Sequence, residues 1–152
     1  QCRPLGVMVL VNDRCDLAKL SDADGVHLGD EDLPVPVARS LLGPRKIIGK
    51  TCRTLGDVRS AAESSADYVG LGPVFETTTK KLACPKLGLS GLKAIADEAP
   101  VPVVAIGGIG LSNIREVAQT GVHAAAVASD LLSASDLVSR AQALQRAFLD
   151  VR

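Results

Sequence analysis

The chain has 152 residues, of which 47% are hydrophobic and only 2% aromatic, so its core must be aliphatic, as in a parallel sheet covered by helices. Seventeen basic residues balance seventeen acidic ones, and zero net charge with few aromatic rings argues against nucleic acid as a partner. No apolar stretch reaches the roughly twenty residues that span a bilayer, which argues against a membrane partner.

Apolar and polar segments alternate along the chain in a strand-then-helix order, and each predicted strand leads into polar or glycine-rich residues. Thr54 and Ser112 are the expected N-caps of two helices, and Gly121 is an expected helix stop. The predicted strands cover residues 7–11, 25–29, 46–49, a run from 68, 101–106 and 124–128. The predicted helices cover residues 16–21, 34–42, 55–64, 91–99, 113–120 and 136–149.

Six such units of roughly 20 to 30 residues predict an α/β fold with a parallel sheet. Two architectures fit this order, an open doubly wound sheet and a TIM (β/α)8 barrel. A complete barrel has eight units and about 250 residues, so as a barrel the chain is short by about two units. We therefore expect a single, N-terminally incomplete barrel domain over residues 1–152, with the first two units preceding Gln1.

The strand that begins at Tyr68 leads through a Gly-Pro pair into the polar residues 77–81. Three threonine hydroxyls and the ammonium groups of Lys80 and Lys81 are donors that suit a phosphate group. The same composition is also common in solvated surface loops. This stretch alone therefore leaves both interpretations open.

Carboxylates follow the first two predicted strands. Asp13 and Asp32 could meet at one edge of the sheet, and magnesium takes one or two carboxylates together with substrate phosphates. Helix capping is the alternative role for aspartates at such turns. Asp30 and Glu31 are expected to be solvated.

Glycines and a serine follow the last two predicted strands. Gly107 and Gly108 carry no side chain, so their N–H groups can approach a phosphate before the next helix begins. Ser129 follows the last strand, where barrels often complete a phosphate site. A tight turn is the alternative explanation for the glycine pair.

Other polar residues are expected to be structural. Arg14 is predicted to form a surface ion pair, and both His27 and His123 are predicted to be structural rather than catalytic. The sequence contains no nucleophile elbow, Walker loop or G-x-G-x-x-G, so a covalent nucleophile is not indicated.

Six motifs, in order along the whole chain, resemble thiamine phosphate synthase. They are N-D-R-x-D-L-A (12–18), A-D-G-V-H-L-G (23–29), E-D-L-P (31–34), G-P-V-F-x-T-x-T-K (72–80), L-G-L-x-G-L (87–92) and A-I-G-G-I (105–109). The resemblance implies the C-terminal three-quarters of a TIM barrel. It also implies a transferase that joins hydroxymethylpyrimidine diphosphate to thiazole phosphate, releases pyrophosphate and passes through a pyrimidine carbocation.

Carried over by position, the resemblance implies three groups of site residues. Magnesium would lie on Asp13 and Asp32. The pyrimidine diphosphate would contact Asn12, Thr51 and Lys80, and catalysis would rest on Lys80 and Thr51. Thiazole phosphate would contact Thr77, Thr78, Thr79, Gly108, Ala128 and Ser129.

Three positions depart from the family pattern. Asp30 stands for the family's glutamine, Thr51 for its serine and Arg53 for its usual histidine. Arg53 weighs against a thiazole tautomerase, whose proposed acid/base histidine falls there, although the F-E-T of 75–77 is a tautomerase-like spelling. The family's Q-x-R-x-K type motif is absent from these residues. A tautomerase-like enzyme and a non-catalytic phosphate-binding barrel fragment remain the alternatives.

Partners and compartment follow from the same features. The expected partners are small phosphorylated substrates, and both a homo-oligomer and a fused upstream domain are compatible with the sequence. The four cysteines lie far apart without a C-x-x-C pair, which predicts reduced thiols rather than a zinc site. The predicted location is therefore the cytoplasm, with an organelle matrix as the alternative.

Overall fold

Six parallel strands form one sheet in the order of the chain. The computed structural model describes residues 3–77 and 85–151. Each strand pairs with the next one along the sequence, whereas a doubly wound sheet reverses its strand order. The order is therefore that of a barrel, and the two further units predicted from the sequence remain a prediction. The strands are β1 (Leu10–Asn12), β2 (Gly25–Leu28), β3 (Ile47–Cys52), β4 (Tyr68–Leu71), β5 (Val103–Ile106) and β6 (Ala124–Ala126).

A helix follows each strand, as the alternating pattern predicts. One short helix, Ser129–Leu132, was not predicted, because its four residues are too few to show a helical period. Within the two described ranges, no helix is both long and apolar enough to cross a bilayer. The helices are α1 (Cys15–Leu20), α2 (Val35–Leu42), α3 (Leu55–Glu63), α4 (Gly88–Ala96), α5 (Ile114–Gln119), α6 (Ser129–Leu132) and α7 (Leu137–Leu149), after a 3-10 turn at Arg3–Leu5.

Four predicted boundaries were wrong by three residues. The first strand was predicted at 7–11, but β1 begins at Leu10, and Val7 and Met8 are 52% and 66% exposed. The third strand was predicted to end at 49, but β3 ends at Cys52. The fourth helix was predicted over 91–99, but it is Gly88–Ala96. Hydrophobicity alone could not separate the exposed apolar residues before β1 from the strand itself.

The hydrophobic core lies between the sheet and its helices and is aliphatic, as the composition predicts. Val26 and Leu28 of β2 are fully buried, because alternate strand residues face the helices. Val58 of α3, Leu92 of α4 and Val117 of α5 are also fully buried. Each such side chain contributes about 1.5–3 kcal/mol of transfer free energy, so aliphatic packing fixes the sheet that carries the strand ends.

The N-terminus of α3 is held by a capping box, which confirms Thr54 as its N-cap. The Thr54 hydroxyl accepts a hydrogen bond from the Asp57 N–H at 3.1 Å, and the Asp57 carboxylate accepts one from the Thr54 N–H at 2.9 Å. Ser112 was wrongly predicted to cap α5, because the N-cap of α5 is Asn113 and Ser112 is an exposed residue before it.

Thr54→Ala should destabilise the protein by about 1 kcal/mol, because a helix N–H group loses its acceptor. Urea unfolding of the variant followed by circular dichroism measures this change. Ser112→Ala is the matched control and should change the free energy of unfolding by less than about 0.5 kcal/mol. Equal effects of the two substitutions would contradict the capping assignment.

Candidate functional site

One cleft of about 410 Å³ opens at the carboxyl ends of the strands. It brings together seven of the eleven site residues predicted from the sequence. Asp32 is not among the lining residues, and the predicted residues Thr78, Thr79 and Lys80 lie outside the described ranges. The predicted residues that line the cleft are Asn12, Asp13, Thr51, Thr77, Gly108, Ala128 and Ser129.

The end of β1 presents Asn12 and Asp13 to this cleft. Asp13 has a φ of 66°, a left-handed conformation that is uncommon outside glycine and for which Asn and Asp are enriched. Its N–H donates to the His27 carbonyl at 2.8 Å, so β2 holds this turn in place. The strained residue therefore has a fixed position at the edge of the cleft.

Asp32 points back to the main chain of its own loop. Its carboxylate accepts a hydrogen bond from the Gly29 N–H at 2.6 Å. Within the described parts of the chain, no group of three or more His, Cys, Asp or Glu side chains could hold a metal ion. The assignment of Asp13 and Asp32 as magnesium ligands remains a prediction.

A row of polar rings crosses the inner face of the sheet. His27 of β2, Gly49 of β3 and Tyr68 of β4 are partners in register, and a Cβ on Gly49 would lie closer than 3.0 Å to the Tyr68 ring. The Tyr68 ring lies above the glycine, and its hydroxyl is 2.9 Å from Nδ1 of His27. Burial raises the pKa of the Tyr68 phenol, so this hydroxyl stays protonated near neutral pH.

The other nitrogen of His27 reaches a predicted catalytic residue. Nε2 of His27 lies 3.0 Å from Oγ1 of Thr51, two residues beyond Gly49 on the same face of β3. His27 and Tyr68 both line the cleft, although the sequence analysis treated His27 as structural and did not single out Tyr68 as a site residue. The sequence carried no direct signal for this network, because it depends on the register of β2, β3 and β4.

The loop after β4 is bonded to the end of β5. The N–H groups of Val74 and Phe75 donate to the carbonyls of Ile106 and Gly107, at 2.9 and 3.1 Å. These hydrogen bonds fix the start of the loop that leads to Thr77, which lines the cleft together with Gly108. Two loops that the sequence analysis assigned to one phosphate therefore do lie side by side.

Gly108 is held in its turn by contacts on both sides. It has a φ of 67°, and a Cβ there would meet the Glu76 carbonyl and, at 2.8 Å, Cβ of Phe75. The Asn113 amide donates to the Gly108 carbonyl at 3.0 Å and accepts from the Gly110 N–H at 2.9 Å. Glycine at this position therefore permits both the backbone conformation and the close approach of the two loops.

The end of β6 supplies Ala128 and Ser129 to the cleft, immediately before and at the start of α6. The next residue, Asp130, accepts hydrogen bonds from Nη1 of Arg140 at 3.1 and 3.2 Å. This pair joins the short helix to α7 and so supports the position of Ser129.

Three predictions about charged and titratable side chains agree with the structure. Asp30 is exposed, as predicted, and it also lines the cleft and pairs with Arg53, which lines it too. Arg14 forms the predicted surface ion pair with Asp16, and its hydrogen bond lowers the pKa of Asp16 to about 2. His123 is structural as predicted, because its Nδ1 accepts a hydrogen bond from the Val103 N–H at 3.1 Å.

Cys52 adjoins Thr51 but faces the core. It is 1% exposed, and burial raises the pKa of its thiol to about 12. A raised pKa means that the reactive thiolate stays negligible at any pH well below 12. Iodoacetamide should therefore leave Cys52 unlabelled from pH 7 to 9, as measured by peptide mass spectrometry, whereas an ordinary thiol reacts faster over that range.

The control for this prediction is the same chain in guanidinium chloride, where Cys52 should be labelled. Labelling of Cys52 in the folded protein that increases from pH 7 to 9 would contradict its buried position.

The chain was compared with known protein families and sequences. The model of the family described as "Thiamine monophosphate synthase" matches residues 1–131. The thiamine-phosphate synthase of Myxococcus xanthus is 53% identical over 143 residues, which are 94% of this chain and 66% of that protein. The "Thiamine biosynthetic bifunctional enzyme TH1, chloroplastic" of Arabidopsis thaliana is 45% identical and is covered over 28% of its length.

A solved structure is also similar over nearly the whole chain. It is a thiamine phosphate pyrophosphorylase from Pyrococcus furiosus, with a TM-score of 0.89 and 39% identity, covering 99% of this chain and 71% of that one. The chain spans just under two thirds of the first curated relatives it matches, which are the Myxococcus xanthus protein at 66% and the Anaeromyxobacter dehalogenans protein at 64%.

Proposed function

Because the chain belongs to the thiamine monophosphate synthase family, we propose that it carries the active-site cleft of a thiamine phosphate synthase. The reaction joins hydroxymethylpyrimidine diphosphate to thiazole phosphate and gives thiamine phosphate and pyrophosphate. One observation carries this proposal: the predicted substrate residues within the described ranges all line a single cleft.

The two substrates are assigned to opposite halves of that cleft. The pyrimidine diphosphate is assigned to Asn12, the last residue of β1, and to Thr51, near the end of β3. The residues assigned to thiazole phosphate follow the next three strands, and they include Thr77, Gly108 and Ser129. Holding two reactants side by side converts a bimolecular step into an effectively unimolecular one. The arrangement therefore supports a joining reaction.

The carboxylates of Asp13 and Asp32 suit a magnesium ion by their chemistry. Asp13 lines the cleft beside Asn12, whereas the Asp32 carboxylate accepts a hydrogen bond from the Gly29 N–H and is not among the lining residues. Magnesium binds through one or two carboxylates and substrate phosphates, so Asp13 and Asp32 are a sufficient protein donor set. When bound, magnesium would offset the negative charge that develops on pyrophosphate.

The residues of the chain need to stabilise charge rather than supply a nucleophile. The bond between the pyrimidine methylene carbon and the pyrophosphate oxygen breaks, and its electron pair leaves with pyrophosphate. The lone pair of the thiazole nitrogen then forms a bond to that carbon. Thr51 would donate to the diphosphate with its hydroxyl held by His27, and Lys80 would add positive charge. Val104 and Ile106 line the cleft and limit access of water, which strengthens these electrostatic contacts.

The direct test mixes the chain with both substrates and MgCl₂. We expect thiamine phosphate, detected as fluorescent thiochrome, and pyrophosphate to appear in equal amounts when the chain is assayed together with the two predicted preceding units. Titration with thiazole phosphate by calorimetry is the second measurement, and it should give one site per chain.

Each failure of this test has a distinct meaning. Thiazole phosphate binding without product by a folded chain would favour the non-catalytic phosphate-binding module. Aromatisation of the tautomerase substrate without thiamine phosphate formation would favour the tautomerase. The cytoplasmic or organellar location, and either self-association or a fused upstream domain, belong to this proposal as predictions from the sequence.

A further inference from the structure

An ion pair spans the mouth of the cleft between two neighbouring strand ends. Arg53 follows β3, and its Nη1 donates to the carboxylate of Asp30, which follows β2. Both residues line the cleft, with side chains 32% and 50% exposed. The pair therefore lines the cleft and is accessible from solvent.

The main chain of Arg53 is fixed beneath this pair. Its N–H donates to the Asp57 carboxylate at 2.9 Å, and the same carboxylate accepts the Thr54 N–H. Burial alone would raise the pKa of Asp57, but these hydrogen bonds lower it below its ordinary value, so Asp57 is anionic. Arg53 thus has one carboxylate at its main chain and another at its side chain.

Arg53 is the cation best placed to meet an anionic ligand. Among the lining residues that the structure describes, it has the only permanent positive charge. Lys50 lies in β3, but its ammonium group donates to the Gly29 carbonyl at 2.5 Å, and Lys50 does not line the cleft. Arg14 is paired with Asp16 at the surface.

We propose that Arg53 binds a phosphate group of the ligand, and that Asp30 holds its guanidinium group at the mouth until the ligand displaces the carboxylate. This inference rests on the proposed function, because it takes the ligand to be phosphorylated. A guanidinium group has five N–H donors in a fork that matches phosphate oxygens. A diphosphate carries more negative charge than one carboxylate, so it competes effectively for Arg53.

The ion pair could instead act only as a latch between two loops, and the two roles predict opposite effects of removing Asp30. If Arg53 binds phosphate, Asp30→Asn removes a competitor and anion affinity rises. If the pair is only a latch, losing either partner loosens the mouth and anion affinity falls in both variants.

Calorimetric titration with inorganic pyrophosphate tests the proposal. Arg53→Gln should weaken binding roughly tenfold to a hundredfold, the range of a charge-assisted hydrogen bond. Asp30→Asn should tighten binding, and Arg53→Lys should recover part of the affinity because it keeps the charge. The matched control is Arg59→Gln, which breaks an exposed ion pair with Glu98 outside the cleft and should leave the affinity unchanged.

Circular dichroism verifies that each variant is folded, and Arg53→Lys keeps the test available if Arg53→Gln does not fold. Unchanged affinity in Arg53→Gln, or weaker binding in Asp30→Asn, would overturn the proposal. Pyrophosphate binding by the wild-type chain without thiamine phosphate formation would remove the proposed catalytic function and leave the role of Arg53 standing. A folded wild-type chain that does not bind pyrophosphate would overturn both.

Discussion

Replacing Asp13 by asparagine should lower the rate of thiamine phosphate formation by roughly a hundredfold or more. The substitution removes one of the two carboxylates proposed to hold magnesium. Charge stabilisation by a bound metal is worth several kcal/mol, and each 1.36 kcal/mol changes the rate about tenfold. The measurement is turnover as a function of MgCl₂ concentration, in which the variant should also need more magnesium.

Asparagine is the suitable replacement because of the backbone. Asp13 has a φ of 66°, which asparagine tolerates better than alanine. The N–H of residue 13 can keep its hydrogen bond to the His27 carbonyl, so the turn should remain folded. Any loss of activity can then be assigned to the carboxylate rather than to the main chain.

Asp97→Asn is the matched control for this experiment. Asp97 ends α4, is exposed and pairs with Lys93, so its substitution should leave turnover unchanged. Near-normal turnover of Asp13→Asn with the same dependence on magnesium would show that Asp13 is not a ligand.

Gly108→Ala should abolish thiazole phosphate binding and destabilise the protein. A left-handed conformation costs a residue with Cβ about 1–2 kcal/mol. The new Cβ would also overlap the Glu76 carbonyl and Cβ of Phe75, and such overpacking adds about 1–3 kcal/mol. Urea unfolding measures the destabilisation, and calorimetry measures binding under conditions where the variant is folded.

Gly121→Ala separates the two costs. Gly121 also has a left-handed φ, of 86°, but a Cβ there would have no neighbour within 4 Å. Gly121→Ala should therefore be destabilised only by the cost of the left-handed backbone conformation, and it should bind thiazole phosphate normally. Normal binding by Gly108→Ala would contradict the assignment of this turn to the phosphate.

The position of most site residues could be predicted from the sequence because the carboxyl ends of parallel strands share one edge. Asn12 and Asp13 follow an apolar run, Ser129 follows another, and the alternation of units fixes the sheet as parallel. No detailed geometry was needed for that inference. The alternation alone left the strand order open, because a doubly wound sheet fits the same pattern, and only the family resemblance implied the order of a barrel.

The rest depends on which side chains face one another across strands. His27 and Tyr68 form a network only because Gly49 separates them in register, and the register of neighbouring strands cannot be obtained from one strand's composition. Arg53 and Asp30 lie in different loops, so their pairing depends on the packing of two units. Side chains with several possible partners are thus predicted less well than the strand ends that carry them.

The sequential order of the sheet also has a consequence for how the protein folds. Every strand pairs with its neighbour in the chain, so that Leu10 pairs with Gly25 and Val104 with Ala124. Each pairing closes one strand–helix–strand connection rather than a loop across the whole chain, which favours stepwise growth of the sheet. The cleft draws on all six strand ends, so a nascent chain acquires its ligand affinity only when the last unit has docked.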